Sequence, residues 1–217
     1  GRWLVVYHSN WSHDASNADT GAVFVSPDGT RSAGFGLVNF STAGGNGVFR
    51  IGLASNGNVA LMVQSAELSS GVETDLLFRL IYPDGMLGPV TNVTPWRGNQ
   101  YNPQAAWDGT QFVVVYEDQK NRLADLDMLD GRSDLFGMRI SATGTVIDPQ
   151  GFLFSASPWA ETLPVIAAQN GVALIAGALL RPEAPYANYR IGYGQFGSAA
   201  NQPPVAVAAA TPSGGDV

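Results

Sequence analysis

The sequence predicts an all-β fold built from a repeated antiparallel meander, and three observations predict it. An apolar run recurs as Trp3-Leu-Val-Val-Tyr7, Val59-Ala-Leu-Met-Val63, Phe112-Val-Val-Val-Tyr116 and Ala173-Leu-Ile-Ala-Gly177, at offsets of 56, 53 and 61 residues. A period of that size marks a repeat architecture. The three later runs follow Asn56-Gly57, Asp108-Gly109 and Asn170-Gly171, dipeptides that tolerate positive φ at both centres of a type I′ hairpin. With 26 glycines, 13 prolines and only 13% charged residues in 217, the composition favours tight turns between short strands. Four short strands per repeat match the blade of a β-propeller, in which twisted four-stranded antiparallel sheets pack face to face around an axis.

Taken in chain order, residues 1–41 hold strands two to four of one blade, opened by the run at Trp3 and closed by the Asp28-Gly29 turn and Gly36–Phe40. Residues 48–94 and 101–157 are whole blades, with second turns at Asp84-Gly85 and Thr143-Gly144 and fourth strands at Pro89–Val93 and Phe152–Ser155. Residues 163–197 supply strands one to three of another. That is about three and a half blades, partial at both ends, over residues 1–197. Runs such as Phe112–Tyr116, apolar on both faces, suit strands sandwiched between blades. Strands that begin and stop mid-blade leave open sheet edges, so another chain or segment is expected to complete the propeller, as part of a larger ring or half of an oligomer.

The charge narrows the partners. A formal net charge of −7 opposes a phosphate backbone, which excludes nucleic acid as an expected partner. Cysteine is absent, which removes a disulfide framework, a thiolate nucleophile and a zinc–thiolate site. No apolar run approaches the roughly 20 residues of a spanning helix, so no membrane span is expected. Gly192-Tyr-Gly194-Gln-Phe-Gly197 has the spacing of a dinucleotide fingerprint but lies in or just after a strand, with no helix to follow. No nucleotide cofactor is expected.

The stretch Tyr101–Asp118, continuing through Ser133–Pro149, resembles the propeller repeats of large exported bacterial proteins, covering one blade well and the others loosely. Asn201-Gln-Pro-Pro-Val-Ala-Val-Ala-Ala-Ala-Thr-Pro-Ser-Gly-Gly215 is similar to the linker and first strand of a PKD domain, an immunoglobulin-like module of secreted bacterial hydrolases and adhesins. These resemblances imply a secreted or cell-surface bacterial parent, with residues 198–217 as linker or first PKD-like strand. A rival reading makes Pro204–Ala210 a first strand, like Pro164–Ala168, closing the ring on the N-terminal partial blade.

In a four-stranded meander the links between strands two and three and the crossings between blades share one end. Here they are long: 8–20, 64–75, 116–134 and 177–189, with crossings at 42–48, 94–101 and 157–163. Binding residues concentrate on loops held by a rigid scaffold, so the site is expected at that end. Asp125, Asp127, Asp130 and Asp134 offer hard oxygens at the spacing calcium accepts, with Gly131 to permit the bend. The run resembles the calcium loops of integrin-type propellers but has one extra residue before Asp130, which disturbs the ligand register, and it also reads as an acidic solvated loop. His8 and His13 share the first such loop and suit metal binding or acid–base work, or are incidental polar residues. Trp96 and Trp159 follow prolines in the crossings, where their rings suit sugar stacking or packing between blades. Glu117 and Asp118 end a strand below the acidic loop and could furnish the paired carboxylates of a glycosidase.

Two functions follow. The first is an extracellular module that binds a glycan or protein through its long-loop end, with calcium in the acidic loop. The alternative is part of a carbohydrate-active enzyme, a polysaccharide lyase or glycosidase, working from the same end. A third reading, a structural spacer, stays open because fold alone does not fix function.

Overall fold

The computed structural model describes residues 1–9, 19–38, 48–67, 73–120, 133–183 and 188–197. Within them fourteen strands form four antiparallel sheets in chain order. The first sheet holds β1 (Trp3–Ser9), β2 (Asp19–Val25) and β3 (Phe35–Val38). The second holds β4 (Val48–Ser55), β5 (Ala60–Glu67), β6 (Thr74–Ile81) and β7 (Thr91–Asn92). The third holds β8 (Gln100–Trp107), β9 (Phe112–Asp118), β10 (Asp134–Ile140) and β11 (Phe152–Ser155). The fourth holds β12 (Glu161–Gln169), β13 (Val172–Arg181) and β14 (Asn188–Gly197). Each is a simple meander, and the sheets carry the strands two to four, one to four, one to four, and one to three that the repeat predicts.

The sheets stack through their second strands. All seven residues of β9 are buried. Phe112, Val114 and Tyr116 pack with Leu61 and Val63 of β5, while Val113 and Val115 pack with Ala173 and Ile175 of β13. On its other side β5 sets Ala60, Met62 and Ala66 against Ala22 and Leu37 of the first sheet. A valine or leucine buried this way contributes about 1.5–3 kcal/mol, which is why a strand between blades is apolar at successive positions. The first strands β4, β8 and β12 stand side by side toward the common axis.

Register departs from the sequence alignment in one copy. Ala60 pairs with Ser55 and Ile81 as Phe112 pairs with Trp107 and Ile140, so Ala60, not Val59, is the counterpart of Phe112. Val59 belongs to the turn, where its carbonyl accepts the Asn56 N–H at 3.1 Å. One residue of slip exchanges the faces of a strand, so the correction decides that Leu61 and Val63 face the third sheet.

The turn chemistry differs for a related reason. Asn170 and Gly171 have φ of 53° and 76°, as a two-residue type I′ turn requires. At the other two sites the side chain closes a four-residue loop. Asn56 Oδ1 accepts the N–H groups of Asn58 and Val59 at 2.9 and 2.8 Å, and Asp108 Oδ1 those of Thr110 and Gln111 at 2.7 and 2.9 Å. Only the glycine there takes positive φ. The second turns are alike: Ser26, Tyr82 and Ser141 donate to Thr30, Met86 and Thr145 at 2.8–2.9 Å, with Gly29, Gly85 and Gly144 left-handed.

Two first strands carry bulges at left-handed residues that are not glycine. Asn102 (φ 50°) and Leu163 (φ 53°) sit where the register of β8 and β12 shifts. The outermost faces of the stack are apolar and exposed: Trp3, Val5 and Tyr7 at one end, Leu174, Ile191 and Tyr193 at the other. Among the described residues no helix is long and apolar enough to cross a membrane.

The packing sets a contrast between two leucines. Leu61→Ala empties a site at 0% exposure between blades, and the unfolding free energy in urea is expected to fall by about 2–5 kcal/mol. Leu153→Ala, at 44% exposure, is expected to change it by less than about 0.5 kcal/mol.

Candidate functional site

The loop end of the third blade gathers acidic side chains because β9 is buried on both faces to its last residue. Glu117 points toward the fourth sheet and Asp118 toward the second. Asp118, fully buried, accepts the indole N–H of Trp96 at 3.0 Å, the backbone N–H of Lys120 at 2.8 Å and the Gln100 amide at 3.2 Å. Burial still raises its pKa, against the pull of those hydrogen bonds and of Lys120.

Lys120 is the only lysine in the chain. Its ammonium stands 4.4 Å from the centroid of Trp96 and 4.0 Å from that of Phe136, 3.7 Å from Asp118 Oδ2, and donates to the Gln150 carbonyl at 2.7 Å. Burial lowers its pKa, and the charge of Asp118 partly restores it. The crossing between the second and third blades is held from both sides: Gly98 and Arg97 meet Glu73 at 3.3 and 3.8 Å, and Asn99 binds Thr74 N and Gln119 Oε1, each at 2.9 Å.

Glu117 spans the other junction. Its Oε1 accepts the Leu163 N–H at 2.7 Å and a hydrogen bond from Asn102 Nδ2, so one carboxylate holds the bulges of two neighbouring first strands. Beside it Glu161, also fully buried, accepts Ser155 Oγ at 2.9 Å and Leu135 N at 3.4 Å. Burial raises its pKa, the hydrogen bonds oppose that, and the charge of Asp134 adds to it. Asp134 is buried and lies directly across the ladder from Asp118.

The structure therefore brings Trp96, Glu117, Asp118 and Asp134 to one end of the third blade. Trp159 is half-buried in the next crossing, where Ser157 Oγ accepts its backbone N–H at 3.1 Å. His8 lies near the end of β1 in the first sheet, two sheets from Glu117. His13, Asp125, Asp127 and Asp130 lie outside the described residues, and among the described residues no three metal-capable side chains converge. Sequence reasoning missed Gln100, Asn102 and Lys120, and the signal for the last was available, since a sole lysine in an acidic segment invites a specific partner. A crevice of about 660 Å³ between the first and second sheets lies at the tight-turn end and is lined by Arg2, Trp3, Phe24, Leu53 and Tyr82, none of them a predicted site residue.

No protein-family model matches the sequence, and no curated protein matches it. Among solved structures the chain is similar to an α-L-arabinanase of Penicillium chrysogenum complexed with arabinobiose, at 14% identity and TM-score 0.53, covering 88% of this chain and 59% of that one. It is similar to the sialidase of Trypanosoma rangeli at 12% identity and TM-score 0.61, covering 92% and 35%. It is similar to an endo-arabinase of Bacteroides thetaiotaomicron at 14% identity and TM-score 0.55, covering 93% and 74%. The chain thus spans less than two thirds of the first two. These neighbours are β-propeller enzymes, and at such identities the likeness is one of fold. The chain folds as part of a β-propeller.

The buried and half-buried carboxyls contribute a pH dependence to stability. Asp118, Glu161 and Asp75 all have pKa values raised by burial, so each holds its proton more tightly folded than unfolded. Their contribution is present below the unfolded pKa and is lost as pH rises through the folded one. Glu161→Gln is expected to flatten that decline and to match or exceed the parent at pH 7. Urea midpoints at pH 4 and 7 check it, and a profile unchanged by the substitution would show that Glu161 is not the source.

Proposed function

We propose that this chain is the glycan-recognition part of a propeller protein, binding a neutral oligosaccharide at the loop end of its blades. The observation that carries this over an enzyme is that the described carboxylates there are already spent on protein donors. Asp118 accepts three hydrogen bonds, and Glu117 and Glu161 two each. A general acid or nucleophile must instead present its oxygen to substrate.

Glycan is the ligand class that the fold neighbours favour, since one of them was solved with arabinobiose. The site chemistry supports it: Trp159 offers an aromatic face, and the amide nitrogen of Gln119 and the amide oxygen of Asn102, the ends not engaged with Asn99 and Glu117, lie at the same end. Neutrality follows from charge, because a chain of net charge −7 repels sialylated or sulfated sugars. A secreted bacterial parent and calcium in the Asp125–Asp134 segment belong to the same reading, and rest on the sequence resemblances and the aspartate spacing alone.

A glycan array read in calcium and in EDTA, followed by calorimetry and a reducing-sugar assay, tests it. Neutral arabino- or related oligosaccharides are expected to bind without being cleaved, and Trp159→Ala to weaken binding about tenfold or more, the loss of one stacking contact of about 1.4 kcal/mol. Binding to nothing on the array sinks the proposal. Sugar release abolished by Glu117→Gln replaces it with the enzyme reading.

A further inference from the structure

We propose that the crevice at the tight-turn end, between the first and second sheets, binds a small aromatic carboxylate, with Arg2 holding the anion. Its volume of about 660 Å³ falls inside the range of roughly 300–1,000 Å³ in which proteins hold small ligands. Ile81 is buried there, Phe24 and Tyr82 are half-buried, and Leu53 and Arg2 are exposed. The lining thus grades from an apolar floor to an open mouth that carries the charge.

The charge identifies the ligand's polar end. Among the described residues Arg2 is the one charged side chain that lines the crevice. Its Nη2 donates to the Pro83 carbonyl at 2.6 Å, and its guanidinium stands 4.4 Å from the centroid of the Phe24 ring. The guanidinium is therefore held across the gap, from the first sheet to the turn after β6, and a cation already in place loses little freedom on binding. It forms no ion pair among the described residues. The acids of the two bordering turns are engaged within those turns, Asp28 and Asp84 accepting the N–H groups of Thr30 and Met86, each at 2.9 Å. A guanidinium is weakly hydrated and presents a planar fork that matches a carboxylate. An anion brought by a ligand is the partner this chemistry selects.

The rest of the lining selects the ligand's body. Phe24, Leu53 and Tyr82 supply apolar area, two of them as flat rings, which suits an aromatic ring better than a polyol. A single cation suits a monoanion better than a phosphate ester, whose greater charge calls for further cations. The Tyr82 hydroxyl and the Asn58 side-chain amide, also at the crevice, make no hydrogen bond among the described residues, so they can meet a hydroxyl on the ligand. This is the reverse of the loop end, where Asp118, Glu117 and Glu161 are already engaged by protein donors. The two ends serve different ligands, a neutral sugar at one and an apolar monoanion at the other.

Calorimetry on the full chain tests it, with 2-naphthoate as the probe and 2-naphthylmethanol as its uncharged counterpart. Saturable binding of 2-naphthoate is expected, with the alcohol weaker by about tenfold or more for want of the charge-assisted hydrogen bonds. Arg2→Gln is expected to bring 2-naphthoate down to the affinity of the alcohol, to leave the alcohol unchanged and, at an exposed position, to leave the urea midpoint unchanged. Leu53→Trp, which fills the crevice from its mouth, is expected to abolish binding of both. Trp159→Ala is expected to alter neither, which separates this site from the loop end. The proposal is overturned by absence of saturable binding, by equal affinity for acid and alcohol, by an Arg2→Gln variant that binds 2-naphthoate as the parent does, or by loss of binding in Trp159→Ala.

Discussion

The contact between the second strand of one blade and the sheets on either side governs everything else here. A strand held between two sheets has no solvent face, so β5 and β9 are mainly apolar where they meet a neighbour, and a polar residue there is hydrogen-bonded across the junction, as Gln64 is to the Thr20 hydroxyl at 2.7 Å and Glu117 to the Leu163 N–H. Close approach then falls to glycine. A Cβ on Gly177 would lie 2.7 Å from Leu135 Cδ1, and one on Gly52 would lie 2.9 Å from the Pro103 carbonyl. Both are contacts that real side chains essentially never make, and both lie where adjacent blades meet. The stack is close-packed in the sense that volume changes of a single methyl group are felt.

The same constraint explains the loop end. A strand buried on both faces cannot become polar gradually, so when β9 runs out of apolar residues its carboxyls are still inside the protein. Desolvation dominates the titration of Asp118 and Glu161 and is opposed by neutral hydrogen-bond donors more than by cations, since Lys120 is the one ammonium within reach. Removing a partner from such a group costs more than the pair contributes, because an unsatisfied buried charge is left behind. Asp118 and Glu117 therefore tie neighbouring blades together. Asp118 gathers the crossing from the second blade through Trp96 and Gln100, and Glu117 gathers the fourth blade through Leu163.

How far the sequence disclosed this depends on the range of each interaction. Strand order, blade limits and the tight second turns were legible because they rest on local periodicity and on glycine at fixed offsets. The slip at Val59 was not, because whether Asn56 closes a two- or a four-residue turn depends on which backbone N–H groups its side chain captures, and a dipeptide does not encode that. Trp96 was legible as an exceptional residue but not its engagement with Asp118 and Lys120, which are 22 and 24 positions away in sequence and meet only because two blades pack. Nothing local in the sequence marks Glu161 as buried. Its burial follows from opening a first strand against Ser133 of the preceding blade, a relation that exists only after stacking.

The four sheets also show where a repeat can diverge without harm. His8, Ser65, Glu117 and Ala178 occupy one register position, each pairing with the third strand at the same level. Two residues deeper the counterparts are Val6, Val63, Val115 and Ala176, all small and apolar, because that level must pack. At the upper level Glu117 binds the bulge of the next first strand, while the hydroxyl of Ser65 is buried with no partner among the described residues. Packing thus constrains every blade alike up to that level and releases them above it. A propeller of this kind keeps its blades interchangeable as scaffold and distinguishes them in the last turn of the pleat, where the polar groups and long connections meet, so recognition can change there without disturbing the stack beneath.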